Sequence, residues 1–192
     1  MSRKRGLIGS GVAALATLAV GCGGDDSSSE EDDVREAIGH IAGSGAPEDC
    51  TTYATQAYLE QTTFKTGAEA LAECEAQAGT TAVVEVVEVA IDGETATATV
   101  ATTEGELEGT TVEAGLLKED DTWKLDSLND FVVFDRSSYR DGLEQRMIED
   151  GTQASAIECV LANFDDFGDP ELEGILLSGD PAQLAVLAEG CA

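Results

Sequence analysis

Residues 81–103 read TAVVEVVEVAIDGETATATVATT, and they decide the fold class. The first half is continuous and β-branched, with Val83, Val84, Val86, Val87, Val89 and Ile91. Such side chains lose little freedom on a pleated surface and pack well there, so the run predicts a strand over Thr81–Ile91. Asp92-Gly93 is a hairpin signal, because glycine reaches the positive φ that a tight turn needs. Glu94 to Thr103 then alternates Thr and Ala around Val100, a period of two that predicts a second, antiparallel strand.

The same grammar continues downstream. Glu104-Gly105 predicts a second turn, and Leu107–Lys118 a third strand interrupted by Gly109 and Gly115. Glu119-Asp120-Asp121 turns the chain again. Thr122-Trp123-Lys124-Leu125-Asp126-Ser127-Leu128 alternates as a fourth strand. The expectation is an α+β fold in which helices cover one face of a curved, four-stranded antiparallel sheet.

Upstream of the sheet the apolar spacing is helical. Val34, Ala37, Ile38, Ile41 and Ala42 predict an amphipathic helix over Asp32–Ala42, ended by Gly43-Ser44-Gly45. Pro47 stands where a first helical turn accepts proline. Cys50, Tyr53, Ala54 and Ala57 mark a second stripe, and Ala68, Leu71, Ala72, Cys74 and Ala78 a third. After Arg136 the pattern is helical again. Tyr139, Leu143 and Met147 recur at four, and Ile157, Val160, Leu161 and Phe164 form a further stripe. Asp169-Pro170 and Asp180-Pro181 each place a capping residue before a helix-starting proline. Residues 33–130 therefore read as an α+β domain and 136–192 as a small helical subdomain.

The beginning of the chain carries an address. Arg3, Lys4 and Arg5 precede an uncharged stretch, Leu7–Val20, that is too short to span a bilayer, which needs about 20 apolar residues. This is a secretory signal. Leu18-Ala19-Val20-Gly21-Cys22 resembles a bacterial lipobox, with Ala19 where leucine is commonest. The resemblance implies that Cys22 receives diacylglycerol and that residues 1–21 are then removed. The competing reading is an ordinary signal peptide cut nearby, with Cys22 free. Residues 22–32, small, polar and acidic, read as a disordered tether lifting the folded part off the membrane. The expected location is the outer face of the cell membrane, with the membrane as partner through the lipid.

The chain has a net charge of −29, and losing the three positive residues of the leader takes it to −32. Such a surface repels nucleic acid and anionic lipid, which argues against both as partners. It fits a lineage with acidic surfaces or a high-salt habitat equally well. Of five cysteines, four remain beside Cys22: Cys50, Cys74, Cys159 and Cys191. In an oxidising space these predict two disulfides. Three pairings are open, and Cys50–Cys74 with Cys159–Cys191 is preferred because each brackets one run of helices. A zinc site is the weaker alternative, since no CxxC occurs and His40 is the one histidine.

Asp49-Cys50-Thr51-Thr52-Tyr53, Cys74, the Asp92-Gly93 hairpin and the strand Thr122-Trp123-Lys124-Leu125 together resemble secreted lipoproteins of the NTF2-like (cystatin-like cone) fold. Cys22-Gly23-Gly24-Asp25-Asp26-Ser27 is similar to the mature start of lipoproteins from high-GC Gram-positive bacteria. Cys159-Val160, Leu172, Gly179-Asp180 and Cys191 look like a helical tail found on some of them. The likeness covers residues 34–130 and 136–192. It implies a cone that holds a small apolar ligand or mediates contacts, and brings no assigned activity.

Catalytic chemistry is not legible. Some cone-fold isomerases and hydrolases set an Asp or His at the cone mouth, but among 39 acidic residues a carboxylate carries no information. His40 reads as incidental, on the polar side of a surface helix. Tyr53, Tyr58, Phe64 and Trp123 could line a pocket, although core packing is the better explanation of them. Asn163–Asp169 superficially resembles a calcium loop, but Phe167 and Gly174 fall where oxygen ligands are required. No cofactor or metal is expected. The sequence thus favours a non-catalytic, lipid-anchored binding or interaction module for an extracellular protein or small ligand. A structural envelope spacer and a cone-fold enzyme are the alternatives.

Overall fold

The computed structural model describes residues 26–79, 82–104 and 107–191. Cys22 and the leader lie outside the described residues. Helices α1 (Asp26–Gly39), α2 (Asp49–Thr52), α3 (Gln56–Thr63) and α4 (Ala68–Gln77) precede strands β1 (Val83–Asp92), β2 (Thr95–Glu104), β3 (Thr111–Glu119) and β4 (Thr122–Val133). Helices α5 (Arg136–Glu149), α6 (Ala154–Asp166), α7 (Asp169–Ser178) and α8 (Pro181–Leu184) follow. The sheet is four-stranded and antiparallel, in the order β1-β2-β3-β4. The fold is α+β, as the alternating sequence predicts.

Turn chemistry sets the register. Asp92 pairs with Thr95, so the first loop is Gly93-Glu94, with φ +65° at Gly93. Glu119 pairs with Thr122, leaving Asp120 and Asp121 at φ +49° and +63°. Two successive positive φ values suit a hairpin whose twist follows its strands, and aspartate tolerates that region better than most residues. Register shifts interrupt β1 near Val87 and the β3–β4 ladder at three places. Bulges of this kind bend strands.

One face of the sheet is buried. Ala96, Ala98, Val100, Ala114, Leu116, Trp123 and Leu125 form its core, and α1 lays Val34, Ala37 and Ile38 across them. The small alanines on β2 and β3 let the helix approach closely. Segment 53–55 adds to the edge of β4: Leu125 N donates to Tyr53 O and Thr55 N to Leu125 O, both at 2.8 Å. The edge is thereby covered against pairing with another chain. Thr55 also caps α3, accepting from Tyr58 N.

Several element boundaries differ from the sequence reading, and the Cys50–Ala57 stripe is not one helix: α2 ends at Thr52 and α3 starts at Gln56, with Ala54 bridged to Leu125 between them. Helix α1 begins at Asp26, so residues 26–32 of the expected tether are helical, and Glu30 binds Lys118 on β3 at 2.6 Å. Acidic residues favour a helix N-terminus, and the apolar anchor at Val34 extends the helix back through them. Strand β3 starts at Thr111, not Leu107, because Gly109 turns the chain at φ +85°. Strand β4 continues past Leu128 to Val133. Helix α7 is capped by Gly168 rather than Asp169, with Glu171 accepting from Gly168 N at 3.0 Å. Asp180 does cap α8, accepting from Ala182 N at 2.9 Å.

Cys50–Cys74 and Cys159–Cys191 are the disulfides. The first joins α2 to α4, and the second joins α6 to the chain end. Val160, Phe164, Leu172 and Leu187 make a core of their own among the C-terminal helices. Arg136 locks that core: its guanidinium donates to Phe164 O, Asp165 O and Phe167 O and pairs with Asp169. These helices also dock on the sheet. Gln61 of α3 donates to Leu128 O and Leu177 O and accepts from Leu128 N, at 2.7–2.8 Å. Gly179, at φ +62°, packs so closely that a Cβ would stand 2.6 Å from Gln61 Cα.

Candidate functional site

Between α1 and the buried face of the sheet lies a cavity of about 340 Å³. That is toward the lower end of the roughly 300–1,000 Å³ range of small-molecule sites. The sequence dictates its position. Past Val34, α1 and the π-helical turn His40–Ser44 that follows it present Ile38 and Ile41 to the sheet, while small or short side chains such as Ala82, Ala114 and Val112 leave the facing surface thin. Leu125 and Leu128 of β4 close one side. The bulges that shift β3 against β4 bring Leu128 inward, out of strict alternation with Leu125.

Among the described residues, four that carry hydroxyls interrupt this hydrocarbon wall: Tyr58 from α3, Thr102 from β2, Thr110 before β3 and Tyr139 from α5. Thr102 and Thr110 lie side by side, since Thr102 N donates to Thr110 O at 2.9 Å. Helix α5 reaches the same place, where Ser138 Oγ donates to Glu108 O at 2.6 Å. Thr110 is 2% exposed, and its Oγ1 has no hydrogen-bond partner among the described residues. Burial pushes the phenols of Tyr58 and Tyr139 up to about 12, and the nearby Tyr58 adds to the rise at Tyr139. Both therefore stay protonated well above neutral pH. Among the described lining residues there is no carboxylate, imidazole, lysine or arginine.

Of the four aromatic residues considered from sequence, only Tyr58 lines this cavity. Trp123 is core, 2% exposed, with Lys118 Nζ 5.5 Å from its ring centre. Phe64 ends α3 at φ +55°. Tyr53 stacks on His40, with ring centres 4.2 Å apart. His40 is consequently not on a free polar face: it is half-buried, 3.4 Å from the buried Asp49 and 3.6 Å from Glu36. Thr110 and Tyr139 were missed as cavity residues, because one reads as strand interior and the other as a helix stripe. Their only signal was a hydroxyl inside an apolar pattern.

A groove of about 450 Å³ along Val133–Ser137, Arg140 and Asp165 is shallower and carries the ion pairs of Arg136 and Arg140. Among the described residues no cluster of three or more His, Cys, Asp or Glu is placed to hold a metal ion, and no helix is long and apolar enough to cross a membrane. No family model, curated protein or solved structure matches the chain.

Proposed function

We propose that this protein is an exported, lipid-anchored binding module of NTF2-like type, whose cavity takes a small, largely apolar ligand at the outer face of the cell membrane. The observation that carries the reading is the cavity itself, about 340 Å³ and walled mainly by aliphatic side chains. Apolar concavities of this size with a few polar groups are what small-molecule sites look like. The helices-then-meander order and the bulged sheet support the NTF2-like assignment. The leader and Cys22 support export and acylation.

A binding role fits better than acid–base catalysis. The cone-fold enzyme reading needs an inward carboxylate or imidazole, and among the described lining residues the titratable groups are two phenols shifted away from neutrality. The test uses N-phenyl-1-naphthylamine, a neutral probe whose fluorescence rises in apolar surroundings. Wild-type protein should enhance it saturably. Val112→Phe, which puts a larger ring into the cavity, should weaken binding by about ten-fold or more at unchanged secondary structure. Equal binding by both proteins would place the probe elsewhere and remove the reading.

A further inference from the structure

Thr110 poses a physical question. A hydroxyl removed from water without a partner is costly, and Thr110 is 2% exposed with Oγ1 unpartnered among the described residues. Valine would fill the same shape without that cost. Thr110 borders the cavity at the end where the β2–β3 connection meets α5. Thr102 lies beside it, and the phenols of Tyr58 and Tyr139 border the same cavity.

We propose that Thr110, with the Tyr58 and Tyr139 phenols, receives the single polar group of an uncharged ligand, a hydroxyl or carbonyl on a hydrocarbon body. The inference rests on reading the cavity as a binding site and adds what the site selects. Hydroxyls both donate and accept, so they satisfy either group. An anionic head finds no cation in the wall, and a buried charge without a partner is costly. The net charge of −29 further disfavours an approaching anion. A cationic head finds no carboxylate among the described lining residues. A ligand with several polar groups would leave some of them against Ile38, Val112 or Leu125.

The experiment titrates the purified full chain with naphthalene, 2-naphthol and 2-naphthoate, which share a body and differ in the head. Naphthalene should bind. 2-Naphthol should bind about ten-fold tighter, the value of one good hydrogen bond, and 2-naphthoate more weakly than the naphthol by at least about ten-fold. Thr110→Val should erase the advantage of the naphthol over naphthalene. Tyr139→Phe should reduce that advantage in the same way and serves as the check if the first variant folds poorly. Binding of naphthalene with no preference for the naphthol, or a preference that survives both substitutions, overturns the polar-head assignment while the apolar cavity stands. Failure of naphthalene and naphthol alike overturns both.

Discussion

Replacing Gln61 probes how the C-terminal helices are held to the sheet. One side chain makes three hydrogen bonds there: two carbonyls, Leu128 O and Leu177 O, share its Nε2, and Leu128 N donates to its Oε1. At about 1 kcal/mol net for each bond, Gln61→Ala should cost about 3 kcal/mol. The site is half-buried, so water will re-solvate part of what is exposed, and the expected loss falls to about 2 kcal/mol. For a chain of this size that lowers Tm by about 4–8 °C. Gln61→Glu is the sharper variant. It keeps an oxygen for Leu128 N but turns a second oxygen toward Leu128 O and Leu177 O, so it should be at least as destabilising as alanine. Urea unfolding followed by circular dichroism reads both. A loss below about 0.5 kcal/mol for alanine, or a glutamate milder than alanine, would refute the idea that this amide clamps α7 to β4.

Other consequences can be checked separately. Each disulfide closes a long loop, 24 and 32 residues apart in sequence, so a Cys159→Ser/Cys191→Ser pair or its Cys50/Cys74 counterpart should lose about 3–4 kcal/mol in chemical denaturation. Non-reducing peptide mapping should find these two links and no crossed ones. Asp135 caps α5, and its hydrogen bonds from Ser137 and Ser138 hold its carboxyl below the usual value of 3.8. A depressed folded-state pKa stabilises above that value and is lost as pH falls through the folded one. Asp135→Asn should therefore flatten the acid limb of a Tm-against-pH curve, and an unchanged limb would discount the cap. Cys22→Ala should move the protein from the membrane to the soluble fraction, and unaltered retention would count against the anchor.

The strands were legible because two independent codes agree in them. β-Branched and alternating residues mark β1 and β2, and glycine or paired aspartates mark the turns, so antiparallel order follows from short loops alone. Ends were harder to read. Asn129 and Asp130 look like loop, yet they point outward from a strand that Phe131, packed against Phe134 and Tyr139, continues to anchor. The acidic run at residues 26–32 looks disordered by composition, and its helix depends on contacts such as Glu30 with Lys118, 88 positions away. The cavity was not legible for the same reason. Ile38, Thr110 and Tyr139 come together only through the packing of α1, the β2–β3 connection and α5. Local periodicity says which face is apolar, not where two apolar faces fail to meet.

Native mass spectrometry of the protein recovered gently from its own membranes tests the account most directly. The expected species is a chain that starts at Cys22, carries covalent diacylglycerol and two disulfides, and retains a neutral small molecule that activation in the gas phase releases. A full-length, unacylated chain with no bound molecule would contradict it.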